Sequence, residues 1–143
     1  MGLDGVVYFG GGYTNSNIYA VNADGTLKWK FGAGKGVVSS PVVDGDVVYC
    51  GDSNGTLYAL ANRDGSIKWK FAPGDFDIDI NIPAVTEDAV YIGGFGSYLY
   101  ALNKADGVLR WKFASGSSRA PPVAVDGIVY FGSDDGYLYA VNA

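Results

Sequence analysis

The chain has 143 residues, one domain's worth, with 10 basic and 15 acidic side chains, no histidine and a single cysteine, Cys50. These counts remove a histidine base or metal ligand, a Ser-His-Asp or Cys-His pair, and any intrachain disulfide or CxxC site. The net charge of −5 argues against nucleic acid or an anionic membrane surface as partner, and no apolar run is long enough for membrane insertion.

Taken in chain order, the first strand signal is Val6-Val7-Tyr8-Phe9-Gly10, with no signal peptide expected ahead of it. A loop, Gly10-Gly11-Gly12-Tyr13-Thr14-Asn15-Ser16-Asn17, follows. It lacks the Lys-Ser/Thr and the helix of a phosphate loop and reads as a flexible hairpin connection with Tyr13 exposed. Ile18-Tyr19-Ala20-Val21 is the second strand and Leu27-Lys28-Trp29-Lys30-Phe31 the third. The pattern then starts again: Ser40-Pro41-Val42-Val43, Val47-Val48-Tyr49-Cys50-Gly51, Leu57-Tyr58-Ala59-Leu60 and Ile67-Lys68-Trp69-Lys70-Phe71. A further round carries Ile82-Pro83-Ala84-Val85, Ala89-Val90-Tyr91-Ile92-Gly93, Leu99-Tyr100-Ala101-Leu102 and Leu109-Arg110-Trp111-Lys112-Phe113. The last round has Pro121-Pro122-Val123-Ala124, Ile128-Val129-Tyr130-Phe131-Gly132 and Leu138-Tyr139-Ala140-Val141.

The period is about forty residues, and each unit holds four short runs rich in Val, Ile, Tyr and Trp. Asp-Gly, Asn-Gly and Ser-Gly pairs separate the runs, which is strand and turn chemistry with no helical segment. The expected fold is all-β: a β-propeller of four-stranded antiparallel blades, about 3.5 repeats and 14 strands, opening at a second strand and ending after a third. The tyrosine-centred runs are apolar on both faces, as strands between neighbouring sheets must be. In the Trp strands Leu27, Trp29 and Phe31 are expected on one side and Lys28 and Lys30 on the other. Lys28, Lys30, Lys68, Lys70, Arg110 and Lys112 read as solvated guards of the outer edges rather than a phosphate-binding patch. Cys50 stands where Phe9, Ile92 and Phe131 stand in the other repeats, so it reads as a buried core residue.

The stretch from Ala101 through Asn103 and Gly107 to Trp111 resembles the tryptophan-docking motif of the PQQ-like (quinoprotein) propeller repeats. Ala59, Gly65 and Trp69 carry the same spacing, while Ala20, Gly25 and Trp29 carry it one residue short. The resemblance covers residues 1–143 as a single arc, with repeat segments at about 3–35, 36–75, 76–115 and 116–143. It implies that each Trp packs onto the adjacent blade. Dehydrogenases of the family hold pyrroloquinoline quinone between a tryptophan and a ring of two adjacent cysteines, beside calcium. With one cysteine and every tryptophan in the repeat motif, no cofactor and no catalytic residue is expected here. The chain is similar instead to the family's scaffold and interaction propellers, which implies a periplasmic or extracytoplasmic parent and a protein or peptide ligand.

The connection Ala72–Asn81 is the longest between Trp strand and proline, and it alternates Asp75, Asp77, Asp79 and Asn81 with apolar residues. In extended chain the polar set shares one face near the axial rim, and calcium takes such oxygen donors. A solvated acidic rim is the competing reading. Ser39, Ser40, Ser118 and Arg119 fall at the same rim, where Arg119 has Asp77 or Asp79 as candidate partners. An open arc would leave two apolar sheet faces of roughly 300 Å² each in water. A homodimer of two half-propellers making one eight-bladed ring is the favoured closure. Closure of one chain on itself, and a piece excised or engineered from a longer propeller, are the alternatives.

Overall fold

The computed structural model describes residues 5–37, 39–74, 80–94, 96–118 and 120–143. Fourteen strands and no helix are found among them. The first sheet is β1 (Val7–Gly10), β2 (Asn17–Val21) and β3 (Leu27–Gly32). The second is β4 (Val42–Asp44), β5 (Val47–Gly51), β6 (Leu57–Ala61) and β7 (Ile67–Phe71). The third is β8 (Ala84–Val85), β9 (Ala89–Ile92), β10 (Tyr98–Asn103) and β11 (Leu109–Ala114). The fourth is β12 (Val123–Val125), β13 (Ile128–Gly132) and β14 (Leu138–Asn142). Every pairing is antiparallel and between sequence neighbours, the meander of propeller blades.

Three apolar layers lie between successive blades. Tyr8, Ile18, Ala20 and Trp29 of the first blade pack with Val48, Cys50, Tyr58 and Leu60 of the second. The opposite face of the second blade brings Tyr49, Leu57, Ala59 and Trp69 against Val90, Ile92, Tyr100 and Leu102. Tyr91, Leu99 and Ala101 then meet Val129 and Phe131 of the fourth blade. Because side chains alternate along a strand, one tyrosine-centred run feeds two layers. β5 and β9 are therefore buried throughout, while β1 and β13 alternate between buried and open.

The Asp-Gly turns between third and fourth strands follow one rule. Asp24, Asp64 and Asp106 each accept, through Oδ1, the backbone N–H two residues on, at 3.0 Å. An aspartate side chain thus closes the turn that the left-handed glycine after it permits.

One expectation fails on these outer strands. Leu27, Ile67 and Leu109 are exposed rather than facing the core with the tryptophans, Leu27 at 56%. The register shows why: Trp29 pairs with Ala20 and Leu27 with Val21, leaving Lys28 as an extra residue between them. The same bulge recurs before Trp69 and Trp111. An extra residue reverses the alternation, so the side chain beyond it turns outward.

Candidate functional site

Of the rim residues, Asp75, Asp77, Asp79 and Arg119 lie outside the described residues. Asn81 Nδ2 donates to Ser118 O at 2.7 Å and to Ala120 O at 3.3 Å, tying together the connections that enter the third and fourth blades. Ser39 is buried, its Oγ accepting from Gly51 N at 2.7 Å and donating to Gly51 O at 3.2 Å. Ser118 is buried too and donates to Ala120 O, whereas Ser40 is exposed. Among the described residues no group of three or more His, Cys, Asp or Glu is set to hold a metal ion. The hairpin loop at Tyr13 is fastened to the second blade's approach by Gly12 N to Val37 O at 2.9 Å, with Tyr13 itself exposed.

The richest polar site lies elsewhere, in a cleft of about 640 Å³ between the second and third blades, on the side of the Asp-Gly turns. Three ion pairs frame it. Lys68 Nζ meets Asp46 Oδ2 at 2.6 Å across the second blade, and Arg110 Nη1 meets Asp88 Oδ2 at 2.9 Å across the third. Lys104 bridges the two blades, pairing with Asp44 and donating to Thr86 O at 3.1 Å. The lysine and arginine draw Asp46 and Asp88 below the usual carboxylate range through hydrogen bonds and charge. Lys68 and Arg110 thus do more than guard a solvated edge: each reaches across its blade to a turn carboxylate.

At the floor of the cleft, beside Trp69, sits Tyr49, fully buried, and its hydroxyl has no hydrogen-bond partner among the described residues. Burial, with Asp44 and Asp46 nearby, pushes its phenol up to about 12. The equivalent Tyr91 is served by the Thr86 side chain. In the second blade the residue at Thr86's position is Asp44, whose carboxylate pairs with Lys104. The sequence signal for this cleft was present as a departure from the repeat: Asp46 stands where the first and last units have Gly5 and Gly127.

The two terminal blades each present one uncovered face. On the first blade Val7 and Phe9 are 44% and 43% exposed, with Tyr19 stacked on Phe9 at 5.2 Å. On the fourth, Val123, Val125, Tyr130 and Leu138 are exposed, Leu138 at 76%. The first face is the repeat equivalent of Val48, Cys50 and Tyr58, the second of Tyr49 and Leu57, which are buried against each other's counterparts within the chain. Each end therefore carries one half of an inter-blade layer.

A family model described as outer membrane protein assembly factor BamB matches residues 3–78 and 75–143. The chain belongs to this PQQ-like propeller-repeat family. No curated protein sequence matches it. BamB from Moraxella catarrhalis is similar in structure, with a TM-score of 0.82, 20% identity, and coverage of 97% of this chain and 46% of that one. The computationally designed Ika8 protein gives 0.87 at 17% identity, covering 100% and 44%, and the designed Ika4 protein 0.82 at 17%, covering 96% and 85%. The chain thus spans under half the length of BamB and of Ika8.

The quinone of the family's dehydrogenases does not fit the residues present. Cys50 is fully buried with no second cysteine beside it, and burial pushes its thiol far up. Trp29 and Trp69 are committed between blades, their Nε1 atoms donating to Asn62 O and Lys104 O at 2.9 Å.

Proposed function

We propose that the chain is a non-enzymatic propeller scaffold, an interaction module that pairs head to tail with a second copy to make one eight-bladed ring. The observation behind this reading is the complementarity of its ends. The Val7 and Phe9 face of one copy repeats the surface that Tyr49 and Leu57 cover internally, and the Tyr130 and Leu138 face repeats the surface that covers it. Two seams would remove four faces of roughly 300 Å² each, or roughly 1,200 Å², the lower end of the stable range. The coverage of less than half of BamB and of Ika8 suits a half-ring. An extracytoplasmic setting and a protein or peptide ligand belong to the same proposal, on family membership.

Light scattering tests it. The expected mass is twice the 15.0 kDa of one chain, and Leu138→Glu should return it to one. A monomeric mass for the unaltered chain, with a cooperative melt, overturns the pairing and leaves self-closure or a longer parent.

A further inference from the structure

The cleft between the second and third blades is a built site whose capacity the fold does not use up. Its floor holds the Tyr49 hydroxyl, fully buried and without a partner among the described residues. A buried hydroxyl left without a hydrogen bond loses its hydration for nothing in return, so such a group is uncommon unless a water or a ligand completes it. Its wall carries Glu87, which has no ion pair among the described residues, whereas the three cations of the cleft all have carboxylate partners. The unspent groups are therefore one carboxylate and one neutral hydroxyl, set beside the aromatic rings of Tyr49 and Trp69.

We infer that this cleft receives an arginine side chain of a partner polypeptide. A guanidinium is planar and forked: it pairs with a carboxylate, gives a further N–H to a phenolic oxygen, and lies against aromatic rings. Lysine offers one compact charge and matches fewer of these groups. Entry need not break a strong contact, because the Lys68 and Asp46 side chains are 38% and 76% exposed and a pair so placed is weak, solvent screening most of its attraction. The net charge of −5 favours the encounter. Of the residues concentrated here, Asp44, Asp46 and Lys104 stand where the end repeats have Leu3 and Val125, Gly5 and Gly127, and Ala23 and Ala143. Glu87 matches the carboxylates Asp4 and Asp126.

This inference rests on the interaction-module reading but not on ring closure, since the cleft lies between two internal blades and is the same in one copy or two. The test uses the whole chain and three peptides, acetyl-Gly-Arg-Gly-amide and its citrulline and lysine versions, followed by the indole ¹⁵N–¹H resonance of Trp69. The arginine peptide should shift that resonance saturably while Trp29 stays put, and the neutral citrulline peptide should not. Glu87→Gln should weaken binding by about fivefold, the weight of one surface ion pair. Tyr49→Phe should weaken it as well, with the melting temperature unchanged or raised. Equal shifts from arginine and citrulline overturn the assignment. So does a Tyr49→Phe variant that melts lower and binds as before, because the hydroxyl is then satisfied within the protein by water. The light-scattering mass reads ring closure separately, so the two proposals fail by different measurements.

Discussion

Trp69 lies so close over Gly107 that a Cβ added there would stand 2.5 Å from the ring, and its Nε1 donates to Lys104 O three residues earlier. Trp29 holds the same relation to Gly65, at 2.7 Å. An aromatic face on a left-handed glycine and an indole N–H on the turn carbonyl bind each blade to the next through two kinds of contact at one point.

Gly107→Ala should therefore be costly twice over, through its φ of 72° and through the displaced indole. The expected loss is about 2–3 kcal/mol in a urea titration. Gly25→Ala is the control: its φ is 85° but nothing stands within 4 Å, so about 1 kcal/mol of backbone strain should be all it shows. Equal losses would mean that the tryptophan contact contributes nothing.

The Cys50 thiol should be silent toward a thiol reagent until the protein opens. It is fully buried, and burial raises its pKa well above the ordinary value, so thiolate and access are both wanting. Labelling at a rate proportional to reagent in the native protein, at the speed of a free thiol, would contradict the buried position.

Alkaline pH should weaken the fold through Tyr49. Its phenol titrates near 12 in the folded chain against an ordinary value of 10.0. Below pH 10 both states hold the proton and nothing changes. Between pH 10 and 12 the unfolded chain releases it while the native chain does not, so unfolding becomes easier as pH rises. Urea midpoints across that window should fall, and Tyr49→Phe should flatten part of the decline. An unchanged slope in the variant would remove Tyr49 from the account.

Asn81→Ala should loosen the joint between the third and fourth blades. The amide holds Ser118 O and, more weakly, Ala120 O; Ser118 Oγ still serves Ala120 O in the variant, so the loss leaves Ser118 O short of a donor for about 1 kcal/mol. Amide exchange should quicken first at Ser118, whose N–H donates to Gly94 O. If exchange quickens only on the first blade, the joint lies elsewhere.

The strands were legible because each obeys a local rule: a two-residue period, a β-branched or aromatic run, an Asp-Gly or Asn-Gly turn. Fourteen strands in sheets of three, four, four and three follow from those rules. The outward turn of Leu27 was not legible, since the bulge beside Lys28 depends on pairing with Ala20 and Val21. The cleft was hidden for a similar reason. Lys68 finds Asp46 and Arg110 finds Asp88, each 22 residues away, and Lys104 finds Asp44 on another blade, so only the assembled sheets bring these charges together. The rim reading set Asn81 among oxygen donors for a cation and did not foresee its Nδ2 donating to Ser118 O and Ala120 O, a contact made only once the third and fourth blades are assembled.

Each apolar layer is shared by two sheets and no more. Free energy then accumulates link by link, as in a linear array with nearest-neighbour coupling, rather than around one common centre. Fraying should begin at an end sheet, which has a single neighbour within the chain, and pass inward one sheet at a time. A change in the Phe131 and Tyr139 layer would reach the third blade strongly, the second weakly and the first hardly at all. Protection against exchange along the arc becomes a map of distance from the nearest seam.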